Sequence, residues 1–274
     1  MVALVLAETN RLLSRRMTRF FPLALAVLMI VGIGIASAVV INEDTGGVNF
    51  VEDIAAISEG SMGTDVLFPM GLLIPIMAFV IGASYYGADE KVGMIEQLLT
   101  WEPRRSRLLL ARVISGAVSL FLIATLLSAF LVVLLVILSA VTGGDTSGVG
   151  DALGEIIAAI IRSGLTGAMF FLIGLGITVL VNNSIASIVG FLIWTFVIET
   201  LISGFLPRVS AWLPVTNANT FVPGQDFEIF SDPFGGFSEP EVLFGPTQAG
   251  IRILIWAVVV IGLGAVVFNR RDVD

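Results

Sequence analysis

Cysteine and histidine are both absent from the 274 residues, and lysine occurs once, at Lys91. Without cysteine there are no disulfides, no thiolate metal sites and no thiol nucleophile. Without histidine there are no His-based zinc sites, no haem ligation through His and no Ser-His hydrolase. A membrane enzyme would then need a Ser-Lys or carboxylate mechanism, and Lys91 lies in a charged stretch that is a poor place for a desolvated base. Lys91 is followed by Val92, so the Gly-Lys-Ser or Gly-Lys-Thr of a P-loop cannot be built. Charge is scarce as well: 13% of residues, against about a quarter in ordinary soluble domains.

Apolar residues fill the gap. They make up 57% of the chain, with a mean hydropathy of +1.01. Such a chain cannot hide its apolar residues in a soluble core, so it reads as an integral membrane protein. Crossing about 30 Å of hydrocarbon takes roughly 20 apolar residues in a helix. Six runs qualify: 20–41, 67–88, 108–141, 156–181, 185–206 and 249–268. The third is longer than a span needs. Lipid offers no partner to an unpaired backbone group, so helices are expected. The alternation of a barrel strand is absent. The fold class is therefore all-α: a polytopic protein whose residues 1–274 form a single transmembrane domain with six spans.

Basic residues set the direction. Arg11, Arg15, Arg16 and Arg19 precede the first span. Lys91, Arg104, Arg105, Arg107 and Arg112 cluster between the second and third, and Arg270 and Arg271 follow the sixth. These are eleven of the fourteen positive charges. That side is cytoplasmic, and both termini lie inside. Arg162, Arg208 and Arg252 fall near the outer face, among acidic connections carrying Glu43, Asp44, Asp145, Asp151, Glu155, Asp226 and Glu241. Net charge is −8. Within residues 1–19, Glu8, Arg11, Arg15 and Arg19 form one stripe, and Leu6, Leu13, Met17 and Phe20 lie on another face. This pattern predicts a helix on the inner leaflet leading into the first span.

Residues 207–248 hold six of the ten prolines, six phenylalanines and Trp212. Proline denies a long helix, and aromatic rings favour the membrane interface. Two arrangements fit: short helical or extended pieces dipping into the outer leaflet or capping the bundle, and a compact self-packed lid. Arg162 and Glu199 stand inside spans four and five, each about 9–10 Å below the outer boundary at 1.5 Å per residue. A mutual ion pair would offset the cost of an intramembrane charge, as a structural clasp or as part of an outer pathway; the other reading is two unpaired side chains that snorkel to the surface. Gly32 and Gly34, Gly174 and Gly176, and Gly262 and Gly264 offer small surfaces for helix packing. Asn182, Asn183 and Ser184 make so short a turn that spans four and five are antiparallel neighbours.

The stretch 89–107, DEKVGMIEQLLTWEPRRSR, is charged yet carries Val92, Ile95 and Leu99 at helical spacing. A loop that only reverses the chain needs no such helix. Gly93 interrupts it early, Thr100 to Glu102 end it, and Pro103 suits the first turn of the next helix. Glu90, Glu96, Gln97 and Glu102 are available to a cytoplasmic partner. Arg104, Arg105 and Arg107 suit anionic headgroups or acidic partner residues.

Glu90, Gly93-Met94, Leu98-Leu99-Thr100, Pro103, Arg104-Arg105 and Arg112 resemble the second cytoplasmic connection of the membrane (permease) subunits of type-2 ABC transporters, most of which are exporters. Met94 stands where that family usually has threonine. The motif covers about 87–116, and the six-span arrangement with a long fifth-to-sixth outer loop covers the whole chain. The resemblance implies a coupling helix docking on an ABC ATP-binding subunit through Glu90, Gly93, Ile95, Glu96, Gln97, Leu98, Leu99, Thr100, Pro103, Arg104 and Arg105. It implies a second permease copy or a homologous permease, re-entrant helices between spans five and six, and a plasma-membrane location among lipids. ATP and Mg2+ would be bound by the partner subunit, with no cofactor, metal, catalytic residue or nucleic acid on this chain. The competing readings are an ion- or proton-coupled secondary transporter and an assembly or immunity factor that only binds partners.

Overall fold

The computed structural model describes residues 1–42, 64–91, 93–101, 104–142, 150, 152–229 and 241–270; of residues 32–42, 64–69, 91, 95, 96, 99, 101 and 138–142 it describes the backbone alone. The described chain is predominantly helical. Helix α1 is Val2–Ser14 and α2 is Arg16–Asn42, with extended backbone at Arg15 between them (φ −69°, ψ 140°). Helix α3 is Thr64–Lys91, α4 is Met94–Trp101, α5 is Arg105–Thr142 and α6 is Leu153–Val181. The next run starts as α7, Ser184–Ile193, passes through a π-helical turn at Trp194–Glu199 and ends as α8, Thr200–Phe205.

Among the described residues, five helical segments are long and apolar enough to cross a membrane: Met70–Glu90, Arg105–Ile137, Leu153–Val181, Ser184–Phe205 and Pro246–Arg270. They match the expected spans two to six within a few residues. The first expected span falls on α2. At 38 residues, α5 exceeds what a span requires, as its apolar run foretold.

The core is built around α3 and α6. Both lie largely buried, because glycine lets their backbones approach. A Cβ on Gly82 would strike the Phe171 carbonyl and the Leu175 amide; one on Gly174 would strike the Phe79 carbonyl. Gly176 and Gly264 meet in the same way where α6 crosses the last helix, α11 (Pro246–Arg270). Gly262 faces open space, so the expected packing role does not extend to it. Gly32 and Gly34 lie outside the described side chains. Phe79 stacks on Phe191 with ring centroids 3.8 Å apart, tying α3 to α7.

The outer helices turn apolar rows away from this core. On α5, Leu122, Leu126, Phe130, Val133 and Ile137 are all exposed, at spacings of three and four that make one stripe. Soluble monomers rarely leave so large an apolar surface open, so this face suits lipid. Polar side chains turn inward instead: Ser128 on α5 and Ser163 on α6 are both buried and share a 2.6 Å hydrogen bond.

The turn between α6 and α7 is as short as expected. Asn182 takes the left-handed conformation (φ 59°), and its N–H donates to the Thr178 carbonyl at 2.8 Å. The Asn183 side chain then accepts from the amides of Ile185 and Ala186 at 3.0 and 3.2 Å. One residue ends a helix and the next caps its successor.

Proline opens both short helices of the 207–248 connection. It starts α9, Pro207–Ser210, and α10, Pro214–Phe221. Its missing N–H costs nothing at a helix start. A two-stranded antiparallel ribbon follows, β1 Phe227–Ile229 paired with β2 Glu241–Phe244. An all-α expectation has no place for these strands. Stacked Phe227 and Phe244 rings, 4.9 Å apart, hold them. Val215, Ala218 and Val222 join the same buried cluster as the spans, and a Cβ on Gly71 of α3 would strike Asn219. Short helical and extended pieces therefore cap the bundle, in agreement with the first of the two expected arrangements.

Candidate functional site

The expected coupling helix is α4. Gly93 creates its entry: at φ 64° it reverses the chain after α3, and its N–H donates to the Glu90 carbonyl at 3.0 Å. Glycine adopts that conformation without the steric cost other residues meet. Met94, Gln97 and Thr100 are exposed along α4 and define one outward stripe, since they recur every third residue. Leu98 is half-buried. Arg104 is exposed and Arg105 half-buried where the chain enters α5; Glu90 is half-buried at the end of α3. Ile95, Glu96 and Leu99 lie on α4 with side chains outside the described set, and Pro103 lies outside the described residues.

Between α1, the end of α3 and the start of α5 is a buried charge cluster that the spacing of residues did not reveal. Asp89 closes α3 at 2% exposure, and Arg112 stands two turns into α5 at 2%. Arg112 donates to Asp89 Oδ2 at 2.8 Å. Arg11 and Arg15, from α1 and the break after it, also grip the Asp89 carboxylate. Glu8 of α1, 3% exposed, accepts from the Tyr85 hydroxyl of α3 and approaches Arg112 Nε at 3.7 Å. The guanidinium groups of Arg15 and Arg112 lie 4.8 and 5.5 Å from the Tyr85 ring centroid.

The amphipathic N-terminal helix is thus real, but its polar stripe meets protein. Glu8, Arg11 and Arg15 turn in toward α3 and α5, while Leu6, Leu13, Met17 and Phe20 are exposed. Glu8, Asp89 and Arg112 are buried and Arg11 and Arg15 half-buried, which is tolerable only because each has opposite charge beside it. The signal available in sequence was a charge at the facing ends of two successive spans, Asp89 and Arg112, beside a helix bearing both signs. Their mutual reach is a tertiary fact.

The expected Arg162–Glu199 pair does not form. Arg162 Nη2 donates to Glu155 Oε2 at 3.2 Å, seven residues earlier on its own helix. A long arginine stem runs toward a helix N-terminus readily, carrying its charge toward the surface. Glu199 serves elsewhere. The π-helical turn places it under the start of α10, where it accepts from the amides of Val215 and Thr216 at 3.2 and 3.0 Å. It also accepts from Trp194 Nε1 at 2.9 Å and the Thr216 hydroxyl at 3.3 Å. It thereby supplies the acceptor that a helix start needs. Arg252 pins the other side of the cap: it donates to the Ala211 carbonyl at 2.9 Å and lies 4.4 Å from the Phe244 ring centroid.

Long apolar helices with outward lipid-compatible faces, a few polar side chains turned inward and a charged cluster at one end define a multi-pass helical membrane protein. More particularly, the chain belongs to the DUF2705 family, proteins of unknown function, whose family model matches residues 25–273. No curated protein matches it. Among the described residues, no group of three or more acidic side chains is arranged to hold a metal ion.

Proposed function

We propose that this chain is the non-catalytic membrane subunit of an ATP-driven ABC transporter of the exporting kind. In this reading it has six spans, cytoplasmic termini and a coupling helix at α4, and it works in the plasma membrane with a separate ATP-binding subunit and a second permease. ATP and Mg2+ belong to the partner. One observation carries the reading: α4 presents an exposed stripe, and both of its arms, α3 and α5, are locked to each other and to α1 through Asp89 and Arg112. A soluble partner pressing on α4 would therefore move three helices as one unit. An ordinary connecting loop needs no such anchoring.

Because the chain has no cysteine, a Gln97→Cys variant carries a single thiol at the proposed contact. Purified gently from its native membranes and treated with a thiol-reactive crosslinker, it should yield an adduct with a polypeptide containing a P-loop. The complex should hydrolyse ATP in a vanadate-sensitive manner, and Leu98→Asp should abolish that activity while leaving the chain folded. Capture of no P-loop protein, or hydrolysis indifferent to Leu98→Asp, would overturn the proposal.

A further inference from the structure

Helix α10 has no cap of its own. Its N-cap residue, Leu213, makes no side-chain cap bond, and the first residue, Pro214, has no N–H to satisfy. The Asn217 amide is met by the Leu213 carbonyl at 3.0 Å. The two amides between them, of Val215 and Thr216, both donate to Glu199. Helix α7 is the contrast, since Asn183 caps it from the adjoining position with a group that does not ionise. The start of α10 rests instead on a titratable side chain that another segment supplies.

Glu199 is 4% exposed, and neutral groups alone stabilise its charge. Among the described residues, α7, α8 and α10 carry no charged side chain, and the basic residues of the outer end are engaged elsewhere. Arg162 pairs with Glu155, Arg208 approaches Glu241 at 3.6 Å, and Arg252 donates to the Ala211 carbonyl. Asp226 and Glu228 stand exposed beyond α10, and the described acids of α3, Asp89 and Glu90, lie at its far end. Burying an ion without a counter-ion is costly, and the group escapes that cost by taking up a proton. The surrounding donors decide where the proton can go. Oε1 faces the Trp194 indole N–H and the Val215 amide, both of which only donate. Oε2 faces the Thr216 amide and the Thr216 hydroxyl, and a hydroxyl can turn to accept.

We propose that Glu199 is a proton-operated latch on the cap. Ionised, it holds the start of α10 against the π-helical turn. A proton taken up from the water on the α10 side adds to Oε2 and bonds to the Thr216 hydroxyl, which turns from donor to acceptor. The Thr216 amide then faces an O–H in place of an anion, and α10 loosens. The latch is independent of any ATPase partner.

Amide hydrogen exchange of the full chain in bilayer nanodiscs, read by mass spectrometry from about pH 4 to about pH 9, spans the ordinary carboxylate range and beyond. Protection of residues 214–221 is taken relative to 184–193, whose Asn183 cap does not titrate, so the intrinsic pH dependence of exchange divides out. In wild type the ratio should fall about tenfold on acidification, the factor that 1.4 kcal/mol provides. Glu199→Gln should hold the low ratio at every pH. Thr216→Val strands the acid proton without an acceptor and gives up only the longest of the four bonds, at 3.3 Å. It should therefore lower the midpoint by about one pH unit, and Thr216→Ser should leave the midpoint in place. A ratio flat with pH in wild type, or an equal pH response in Glu199→Gln, would overturn the latch. So would a midpoint unmoved or raised by Thr216→Val, which decides the question even where Glu199→Gln fails to fold.

Discussion

Replacing Asp89 with asparagine would take away the anion that three guanidinium groups share while keeping the side chain's size. Each close pair contributes about 4 kcal/mol of gross attraction at an effective dielectric of 20. Desolvation of the carboxylate offsets much of that, so the net cost of breaking a buried arrangement is about 3–5 kcal/mol. Here the cluster would change from two acids and three bases to Glu8 alone against Arg11, Arg15 and Arg112. Thermal unfolding of the purified chain, followed by tryptophan fluorescence, should show a midpoint lower by on the order of 10 °C. Arg112→Gln should also destabilise. The double variant should lose less than the sum, with a coupling of about 0.5–3 kcal/mol. Asp89→Asn within about 0.5 kcal/mol of wild type, or strict additivity in the double variant, would refute the clamp.

Two further outcomes follow from the packing. Glu199→Gln replaces a carboxylate that accepts four hydrogen bonds, and hydrogen bonds to a charged group contribute about 1.5–3 kcal/mol each way they are lost. Limited proteolysis within residues 207–229 should therefore accelerate, and an unchanged cleavage rate would remove Glu199 as the anchor of α10. Gly174→Ala must displace the Phe79 backbone and should cost about 1–3 kcal/mol, whereas Gly262→Ala, which meets nothing within 4 Å, should be neutral or slightly stabilising. Equal melting midpoints for the two variants would contradict the close α3–α6 crossing.

Legibility tracked the range of the forces involved. Helix α5 was visible as an apolar run because hydropathy and backbone satisfaction are decided residue by residue along one segment. The α6–α7 turn was visible because Asn182 and Asn183 act within four residues of themselves. The break at Gly93 was visible for the same local reason. The stripe on α1 was visible too, but not what it faces, since Arg15 reaches Asp89 across 74 residues.

Arg162 shows the limit most plainly. In sequence, two opposite charges at matching depth invited pairing, and the cost of an intramembrane charge made the invitation strong. In three dimensions each found a nearer solution: Arg162 reached along its own helix to Glu155, and Glu199 met the amides at the start of α10. The sequence alone determined the membrane-spanning class, the order and lengths of the apolar helices and the chemistry excluded by missing His and Cys. Only tertiary structure decided which charges meet and what caps α10, because those depend on how helices rotate about their axes when they pack, and no local pattern records that angle.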